Sequence, residues 1–175
     1  HSGQLSASPL DHEEHAAYRL RVQAQDQGEP KKQTICEVTI RVLDRNDNDP
    51  VFTEQVFQAR VKENVAEGMP VKTVVATDAD SGPNAKISYS IRNGTEWIFG
   101  IDRDTGLIYT TDRLDRERQS FYTLEVVAVD EGIEDTRMAQ AVVQITIEDE
   151  NDSQPQFDEY PFMAQILPQL PPGGE

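Results

Sequence analysis

The sequence repeats itself after about 105 residues, and this repeat limits the possible folds more than any other feature. The segment Leu10-Asp11-His12-Glu13 returns as Leu114-Asp115-Arg116-Glu117. The residues after each segment also correspond, with Tyr18, Leu20, Val22, Ala24 and Asp26 matched by Tyr122, Leu124, Val126, Ala128 and Asp130. A period of this length is typical of a β-sandwich domain of roughly 100 residues. The chain is therefore predicted to carry copies of one domain in tandem.

Apolar and polar residues alternate within each repeat, as they do in half-buried strands. The apolar positions from Tyr122 to Ala128 share one face of an extended chain, and those from Ala139 to Ile147 share another. Shorter runs at 56–61, 71–77 and 87–91 are bounded by Gly, Pro, Asn or Asp. No segment has a helical period. We therefore predict an all-β fold, a Greek-key antiparallel β-sandwich of immunoglobulin-like type, with one core in each repeat.

The repeat also predicts where the domains begin and end. Residues 1–43 hold the C-terminal part of a truncated repeat, 44–50 form a linker, and 51–150 form a complete repeat. Residues 151–175 hold a second linker and the first strand of a truncated next repeat. A partial sandwich of about 40 residues buries too little apolar surface to be stable alone. We therefore expect residues 1–43 to be weakly stable unless other strands complete their sheet.

The charge balance excludes one large class of partners. The chain has 32 acidic residues against 16 Lys and Arg, a net charge of −16. Nucleic-acid binding depends largely on cationic contacts to phosphate, so we expect no nucleic-acid partner. Disorder is disfavoured because the acids alternate with β-branched runs. The single cysteine excludes an internal disulfide, although calcium can stabilise an extracellular domain instead.

Oxygen-bearing side chains are concentrated between the strand patterns. One run is Asp44-Arg45-Asn46-Asp47-Asn48-Asp49-Pro50, and a near copy runs from Asp149 to Pro155. Calcium takes six to eight oxygens from carboxylates, carboxamides and carbonyls. Zinc is disfavoured because the histidines of His12-Glu13-Glu14-His15 are three residues apart, not four. The interpretation is a calcium site at each domain junction, with solvated acidic turns as the alternative.

These motifs together resemble the extracellular cadherin repeat. The matching segments are Leu-Asp-Arg-Glu at 114–117, Ala-x-Asp at 128–130, Asp-x-Asn-Asp-Asn at 44–48 and Asp-Ala-Asp-Ser-Gly-x-Asn at 78–84. The resemblance covers essentially the whole chain, and the 78–84 form is similar to protocadherin and Fat-like or Dachsous-like repeats. It implies calcium ions (Ca²⁺) at each junction, shared by the base of one repeat, the linker and the top of the next.

The resemblance also implies a function and a location. The function is calcium-dependent cell–cell adhesion by a fragment of a cell-surface cadherin ectodomain, on the extracellular side of the plasma membrane. The implied partners are other cadherin ectodomains, either homophilic or heterophilic. Since no apolar run is long enough to cross a bilayer and no signal peptide is visible, we expect membrane attachment through a transmembrane segment outside these residues. The alternative is a passive calcium-stiffened spacer, with adhesion carried by other repeats.

For the first junction the resemblance implies ligands from both repeats and the linker. They are Asp11, Glu13, Asp44, Arg45, Asn46, Asp47, Asn48, Asp78, Asp80, Asn84 and Asp130. Arg45, Asn48 and Asn84 would ligate through their carbonyls. The family's early glutamate for this junction has no counterpart before His1, so we expect weakened binding on the first-repeat side. The ion held by Asn46, Asp78, Asp130 and their neighbours is expected to be retained best.

For the second junction the implied ligands come from the base of the complete repeat and its linker. They are Glu63, Asp115, Glu117, Asp149, Glu150, Asn151 and Asp152, with Glu150 acting through its carbonyl. Pro168 stands where alignment with Glu63 would place a glutamate, which predicts an altered set at the following junction. Asn93-Gly94-Thr95 is a predicted N-glycosylation site. Asn151-Asp152-Ser153 fits the same pattern, but we expect no glycan because Asn151 is an implied ligand.

Three further predictions concern catalysis and two single residues. An enzyme with paired carboxylates, as in glycoside hydrolysis, is disfavoured because the acids recur with the domain period. No nucleophile–base arrangement accompanies them. Cys36 lies on the face of Val38 and Ile40 and is predicted to fill the core. Trp97 is predicted to pack in the core or a loop, not to serve as an adhesive anchor.

Overall fold

A computed structural model describes residues 4–93, 97–133 and 135–152, and within them the fold is all-β. The strands are β1 Ala17–Gln25, β2 Gln33–Arg41, β3 Val51–Phe52, β4 Val56–Lys62, β5 Pro70–Thr73, β6 Ala76–Thr77, β7 Ile87–Asn93, β8 Phe99–Ile101, β9 Leu107–Thr110, β10 Phe121–Asp130 and β11 Met138–Glu148. The predicted lack of helices holds for this part of the chain. None of its segments is a helix that could span a membrane.

The strands from β3 onwards form a sandwich, while β1 and β2 form a separate hairpin. The larger sheet has the order β4-β11-β10-β7, and β5-β9-β8 form the other sheet, with β3 paired to β6. The predicted β-sandwich is therefore confirmed, although one pair is parallel: β4 runs beside β11 from Val56↔Val142 to Lys62↔Glu148. Because these first and last strands run in the same direction, the chain enters this repeat at one pole and leaves it at the other. Consecutive junctions therefore lie at opposite ends.

The predicted alternation appears as alternating burial. Residues of β10 and β11 that face the second sheet are buried, namely Tyr122, Leu124, Val126, Ala128, Ala141, Val143, Ile145 and Ile147. The rings of Phe99 and Tyr122 meet edge to face with centroids 5.3 Å apart. Full burial of a large apolar side chain contributes about 1.5–3 kcal/mol, so this core anchors both poles.

The predicted strand at 71–77 is broken in two. The amide of Val74 donates to the carbonyl of Gly106 at 3.0 Å, and the carbonyl of Val75 accepts from the amide of Thr53. The chain therefore changes partner in mid-run, from β9 to β3. Gly106 has a φ of 69°, and a Cβ there would lie 2.3 Å from the carbonyl oxygen of Val74. A side chain at position 106 is thus excluded by both backbone angle and space.

The two single-residue packing predictions are wrong. Cys36 is exposed, although Val38 and Ile40 on the same face are half-buried. No second sheet among the described residues covers the β1–β2 hairpin, so this face has nothing to pack against. Trp97 is 84% exposed and has a φ of 81°. Its carbonyl accepts a hydrogen bond from the hydroxyl of Thr111, which holds the backbone while the indole projects outward.

Candidate metal centre

The upper pole of the sandwich, where the linker enters, gathers carboxylates from three segments of chain. Asp11 starts a turn in which its Oδ1 accepts from the amides of Glu13 at 2.8 Å and Glu14 at 3.1 Å. This turn directs Glu13 towards the linker. Oxygens of Glu13, Asp44 and Asp80 all lie within 4.8 Å of one another. The structure thus brings the base of the first repeat, the linker and the top of the next repeat together at one place.

Electrostatics on the first-repeat side favour a cation. Partial desolvation raises the pKa of Glu13, and the neighbouring carboxyls of Asp11 and Asp44 raise it further. The amide of Glu14 is the main cause of the lowered pKa of Asp11. Carboxylates packed this closely disfavour one another's charged forms. A bound cation would reverse that preference.

The middle-repeat side is more deeply buried. Asp80 is 7% exposed and Asp130 only 2%. The carboxylate of Asp130 accepts from the amides of Gly132 at 3.0 Å and Arg137 at 3.1 Å, and from Asn46 Nδ2 at 3.0 Å. Burial raises the pKa of Asp78, with further contributions from the charges of Asp80 and Asp130. These groups form the floor of the candidate site.

Three oxygens at this pole are buried without a hydrogen-bond partner. They are Asp44 Oδ1, Asn46 Oδ1 and Asp78 Oδ2. Leaving a buried acceptor unsatisfied costs about 1–3 kcal/mol, so three together are strongly unfavourable. Two are carboxylate oxygens and one is a carboxamide oxygen, which is the ligand chemistry of calcium. The donor set of this pole therefore fits calcium.

The remaining residues predicted for this junction lie around those oxygens. Asn48 donates to Asp80 through its amide at 3.3 Å and through Nδ2 at 2.6 Å. Asn84 Nδ2 donates to Asp44 Oδ2 at 2.8 Å. Arg45 is exposed and lines the same groove as Asp44 and Asn84. Asp47 is exposed, and its carboxylate is not part of the Glu13–Asp44–Asp80 group.

The lower pole of the sandwich is organised by one buried glutamate. Glu63 is 1% exposed; its Oε2 accepts from the amide of Arg116 at 2.8 Å and its Oε1 from the amide of Glu150 at 2.7 Å. Oxygens of Glu63, Asp115 and Glu117 lie within 4.8 Å of one another. A hydrogen bond from its own amide lowers the pKa of Glu117, but desolvation and nearby carboxylates outweigh it, so the net shift is upward.

The second linker is described only in part. Asp149 Oδ1 accepts from Arg116 Nη1 at 3.2 Å, and Asp152 Oδ2 accepts from Asn64 Nδ2 at 2.5 Å. Asn151 is exposed. The predictions for Ser153, Pro168 and the truncated next repeat lie outside the described residues.

The predicted glycosylation residue is accessible on the sandwich. Asn93 is exposed at the end of β7, and its Nδ2 donates to Glu125 Oε2 at 3.2 Å. The two following residues of its sequon lie outside the described part of the chain. Glycosylation of Asn93 stays a prediction.

Sequence reasoning missed two side chains that connect the pieces of the upper pole. One nitrogen of the His12 ring lies 2.9 Å from the carbonyl of Val42, and the other lies 3.2 Å from Ser81 Oγ in the next repeat. The available signal was that His12 replaces the arginine of the second copy. Arg137 contacts the linker through its guanidinium. The indication in the sequence was weaker for Arg137, because the matching position in the first repeat holds another cation, Lys32, and the two copies therefore do not differ in charge there.

Tandem β-sandwich modules with acidic groups at their poles are the class that this fold and site define. The family model for the cadherin domain matches residues 57–148, more than half of the chain. The chain therefore belongs to the cadherin family, whose extracellular repeats occur in cell-surface adhesion receptors. The resemblance of the motifs to cadherin repeats is thus confirmed.

Individual relatives agree with this assignment. The chain is 44% identical over 173 residues to Protein dachsous of Drosophila melanogaster, and the matched region covers 98% of this chain and 5% of that protein. It is 44% identical over 146 residues to human Protocadherin-7, covering 83% of this chain and 14% of the relative. It therefore spans only a small part of the curated relatives it matches.

Solved structures have the same fold. Mouse Cadherin-23 EC22-24 superposes with a TM-score of 0.77 at 35% identity, covering 87% of this chain and 49% of that one. The Protocadherin gammaB7 EC3-6 cis-dimer structure gives a TM-score of 0.80 at 30% identity, covering 91% and 39%. These likenesses extend across the linker as well as the complete repeat.

Proposed function

We propose that this chain is a calcium-rigidified segment of a cell-adhesion ectodomain, in which calcium at the junction fixes the first repeat against the middle one. The observation that carries the proposal is the set of three buried, unpartnered oxygens on Asp44, Asn46 and Asp78. They come from the linker and the middle repeat and lie at the pole that Glu13 of the first repeat also reaches. Hard cations bound at this junction would supply the partners that these oxygens lack.

The mechanism follows from charge. Without calcium, the carboxylates of Glu13, Asp44 and Asp80 lie within 4.8 Å of one another and repel. The first repeat is then pushed away from its neighbour. With calcium, the same oxygens become shared ligands, and the repulsion is replaced by attraction that holds both repeats in one orientation.

The ligand assignment divides the junction into two parts. On the first-repeat side we assign Asp11, Glu13, Asp44, Asp47, Asp80 and the carbonyl of Arg45. On the middle-repeat side we assign Asn46, Asp78, Asp80, Asp130 and the carbonyls of Asn48 and Asn84. The second side is supported by deeper burial, since Asp130 is nearly inaccessible while Glu13 and Asp47 on the first side are exposed. We expect it to bind calcium more tightly, within the roughly 10⁻⁴ to 10⁻³ M range of extracellular modules.

At the second junction, Glu63, Asp115, Glu117 and the linker 149–152 are assigned as the lower half of a further site. The support is the grouping of Glu63, Asp115 and Glu117 oxygens within 4.8 Å.

The adhesive partners are other cadherin ectodomains, supported by relatives that include protocadherins. Coating beads with this segment tests whether it adheres itself: aggregation with calcium indicates an adhesive surface, and dispersed beads indicate a spacer.

Isothermal titration calorimetry with calcium, paired with thermal melts in calcium and in chelator, tests the proposal. We expect saturable binding and a higher Tm in calcium. Asp44→Asn should reduce both effects because it removes a ligand charge at the junction. Asp104→Asn is the matched control, since Asp104 is an exposed acid in the β8–β9 turn, and it should behave like the wild type. Equal melts in calcium and chelator would refute the calcium junction.

A further inference from the structure

Arg137 contacts the linker at the upper pole, where the sequence predicted only metal ligands. Arg137 lies directly before β11, at the end of the loop that follows Asp130. Its amide donates to Asp130 Oδ2 at 3.1 Å, and its carbonyl accepts from the amide of Asp130 at 3.2 Å. These backbone bonds fix Arg137 at the upper pole, beside the passing linker.

The guanidinium of Arg137 makes two contacts with the linker. Nη1 donates to Asp49 Oδ1 at 2.7 Å, and Nε donates to the carbonyl of Asn46 at 3.1 Å. The side chain of Arg137 is 31% exposed and that of Asp49 is 64% exposed, so the arginine is the more shielded partner. The contact with Asp49 is the main cause of the raised pKa of Arg137. The carboxamide of Asn46 also donates to Asp130 and to the carbonyl of Asp135, so the linker is held at several points.

The atoms that Arg137 contacts are not among the atoms assigned to calcium. Asn46 is assigned to calcium through its side-chain oxygen, whereas Arg137 takes its carbonyl, and Asp49 is outside the assigned set. Clamp and calcium can therefore coexist. The linker residue Asp44 is also tied to the middle repeat, through Asn84 Nδ2 at 2.8 Å and the amide of Ser81 at 3.3 Å.

The chain before the linker is held differently. The amide of Val42 donates to the carbonyl of Ala16, so Val42 moves with the first repeat. Leu43 separates it from Asp44 and is 85% exposed. We propose that Arg137 clamps the linker to the middle repeat without a metal, so that calcium loss frees the first repeat at Leu43 and leaves residues 46–49 in place. This inference rests on the proposed function for the role of calcium, but not for the clamp.

Backbone ¹⁵N relaxation of the 175-residue chain in chelator tests the clamp. We expect amides of residues 46–49 in the wild type to have order parameters near 0.85, like the strands β10 and β11. In Arg137→Gln they should fall below the wild-type values, while those of β10 and β11 stay rigid and the remaining bonds of Asn46 and Asn48 limit the fall. Arg60→Gln is the matched control, because Arg60 is 78% exposed and lies 4.0 Å from Glu148, outside this junction. Its linker should match the wild type.

Asp49→Asn provides a second route if Arg137→Gln disturbs folding. It removes the charged partner and leaves Arg137 intact, and it should mobilise the same amides. A wild-type linker already below about 0.6 in chelator would overturn the clamp. So would two variants whose linkers remain as rigid as the wild type. The calcium titration separates the two proposals: failure to bind calcium overturns the proposed function alone, while the order parameters in chelator decide the clamp.

Discussion

The two poles of the complete repeat hold clustered carboxylates in different ways. At the lower pole, both oxygens of buried Glu63 accept hydrogen bonds from backbone amides, one in the turn at Arg116 and one in the linker at Glu150. At the upper pole, Asp78 and Asn46 each have a buried oxygen without a partner. Backbone donors thus satisfy Glu63 within the protein, whereas the upper pole has buried oxygens that no donor among the described residues reaches. Acid clusters of similar composition can therefore differ in what they require to be stable.

The third residue of the Leu-Asp-x-Glu turn makes different contacts in the two repeats. Arg116 reaches forward to Asp149 in its own linker, with Nη1 3.2 Å from the carboxylate. His12 instead contacts Ser81 across the junction, at 3.2 Å. The shorter histidine ring cannot offer the paired donors of a guanidinium, but it connects two repeats directly. Among the described residues, Arg116 contacts its own linker, whereas His12 contacts both its own repeat at Val42 and the next repeat at Ser81.

The largest expected effect is at the lower pole. Glu63→Ala leaves the amides of Arg116 and Glu150 without their acceptor and opens space in the base of the repeat. Hydrogen bonds to a charged group contribute about 1.5–3 kcal/mol each, so we expect a loss of about 3 kcal/mol in the free energy of unfolding. Most of this loss should already appear in chelator, because the bonds come from the protein itself and do not need calcium. Urea unfolding followed by circular dichroism measures it.

Glu54→Ala is the control for that measurement, since Glu54 is an exposed glutamate of the same repeat. It should stay within about 0.5 kcal/mol of the wild type. If Glu63→Ala were equally mild, Glu63 would not organise the lower pole. If its effect appeared only in calcium, the two poles would not differ in the way described above.

The upper pole should respond to mutation in the opposite way. Asp78→Asn removes a charge whose pKa is raised mainly by burial. In chelator we expect no loss of stability, or a small gain, because a disfavoured charge has been removed. In calcium the variant should lose most of the rise in Tm that calcium gives the wild type. Thermal melts in both conditions, with Asp104→Asn as the matched charge control, check this.

A variant destabilised equally in both conditions would contradict that prediction. Asp78 would then act as a structural acceptor, like Glu63. Because Glu63→Ala and Asp78→Asn are each measured in calcium and in chelator, the results show which of the two residues stabilises the fold through calcium.

Sequence predicted the strands well where burial follows a simple period. Tyr122, Leu124 and Val126 alternate with polar residues, and their buried face follows from that alternation alone. The run at 71–77 lacks a strict alternation of apolar and polar residues, and its change of partner at Val74 depended on a distant glycine that the local pattern does not contain. Exposure of Cys36 and Trp97 also depends on what lies opposite them, which local pattern does not contain.

The site was predicted from residue types and repetition, but its internal hydrogen bonds were not. The resemblance to cadherin repeats implied that Glu13, Asp44 and Asp80 belong to one junction, and their oxygens do lie together. Nothing in the sequence indicated that Glu63 would be satisfied by amides while Asp78 would not. That difference arises from how the turn and linker approach each side chain in space. Arg137 was missed for the same reason.

Acidification gives the smallest expected effect. Desolvation is the first cause of the raised pKa values of Glu13 and Asp78, with neighbouring carboxylates adding to it. In chelator, the folded chain therefore holds these protons more tightly than the unfolded chain. The resulting stability is present below the ordinary carboxyl range near pH 4 and is lost as pH rises through the folded-state pKa values.

Calcium acts in the opposite direction, because it binds the deprotonated carboxylates and competes with protons. The rise in Tm caused by calcium should therefore shrink as the pH is lowered from 7 to 5. Melts at fixed calcium across this range measure the change. Asp78→Asn should show a flatter dependence, since one competing proton site has been removed, while Asp104→Asn should follow the wild type. A calcium effect that stays constant or grows at pH 5 would exclude proton competition at the upper pole.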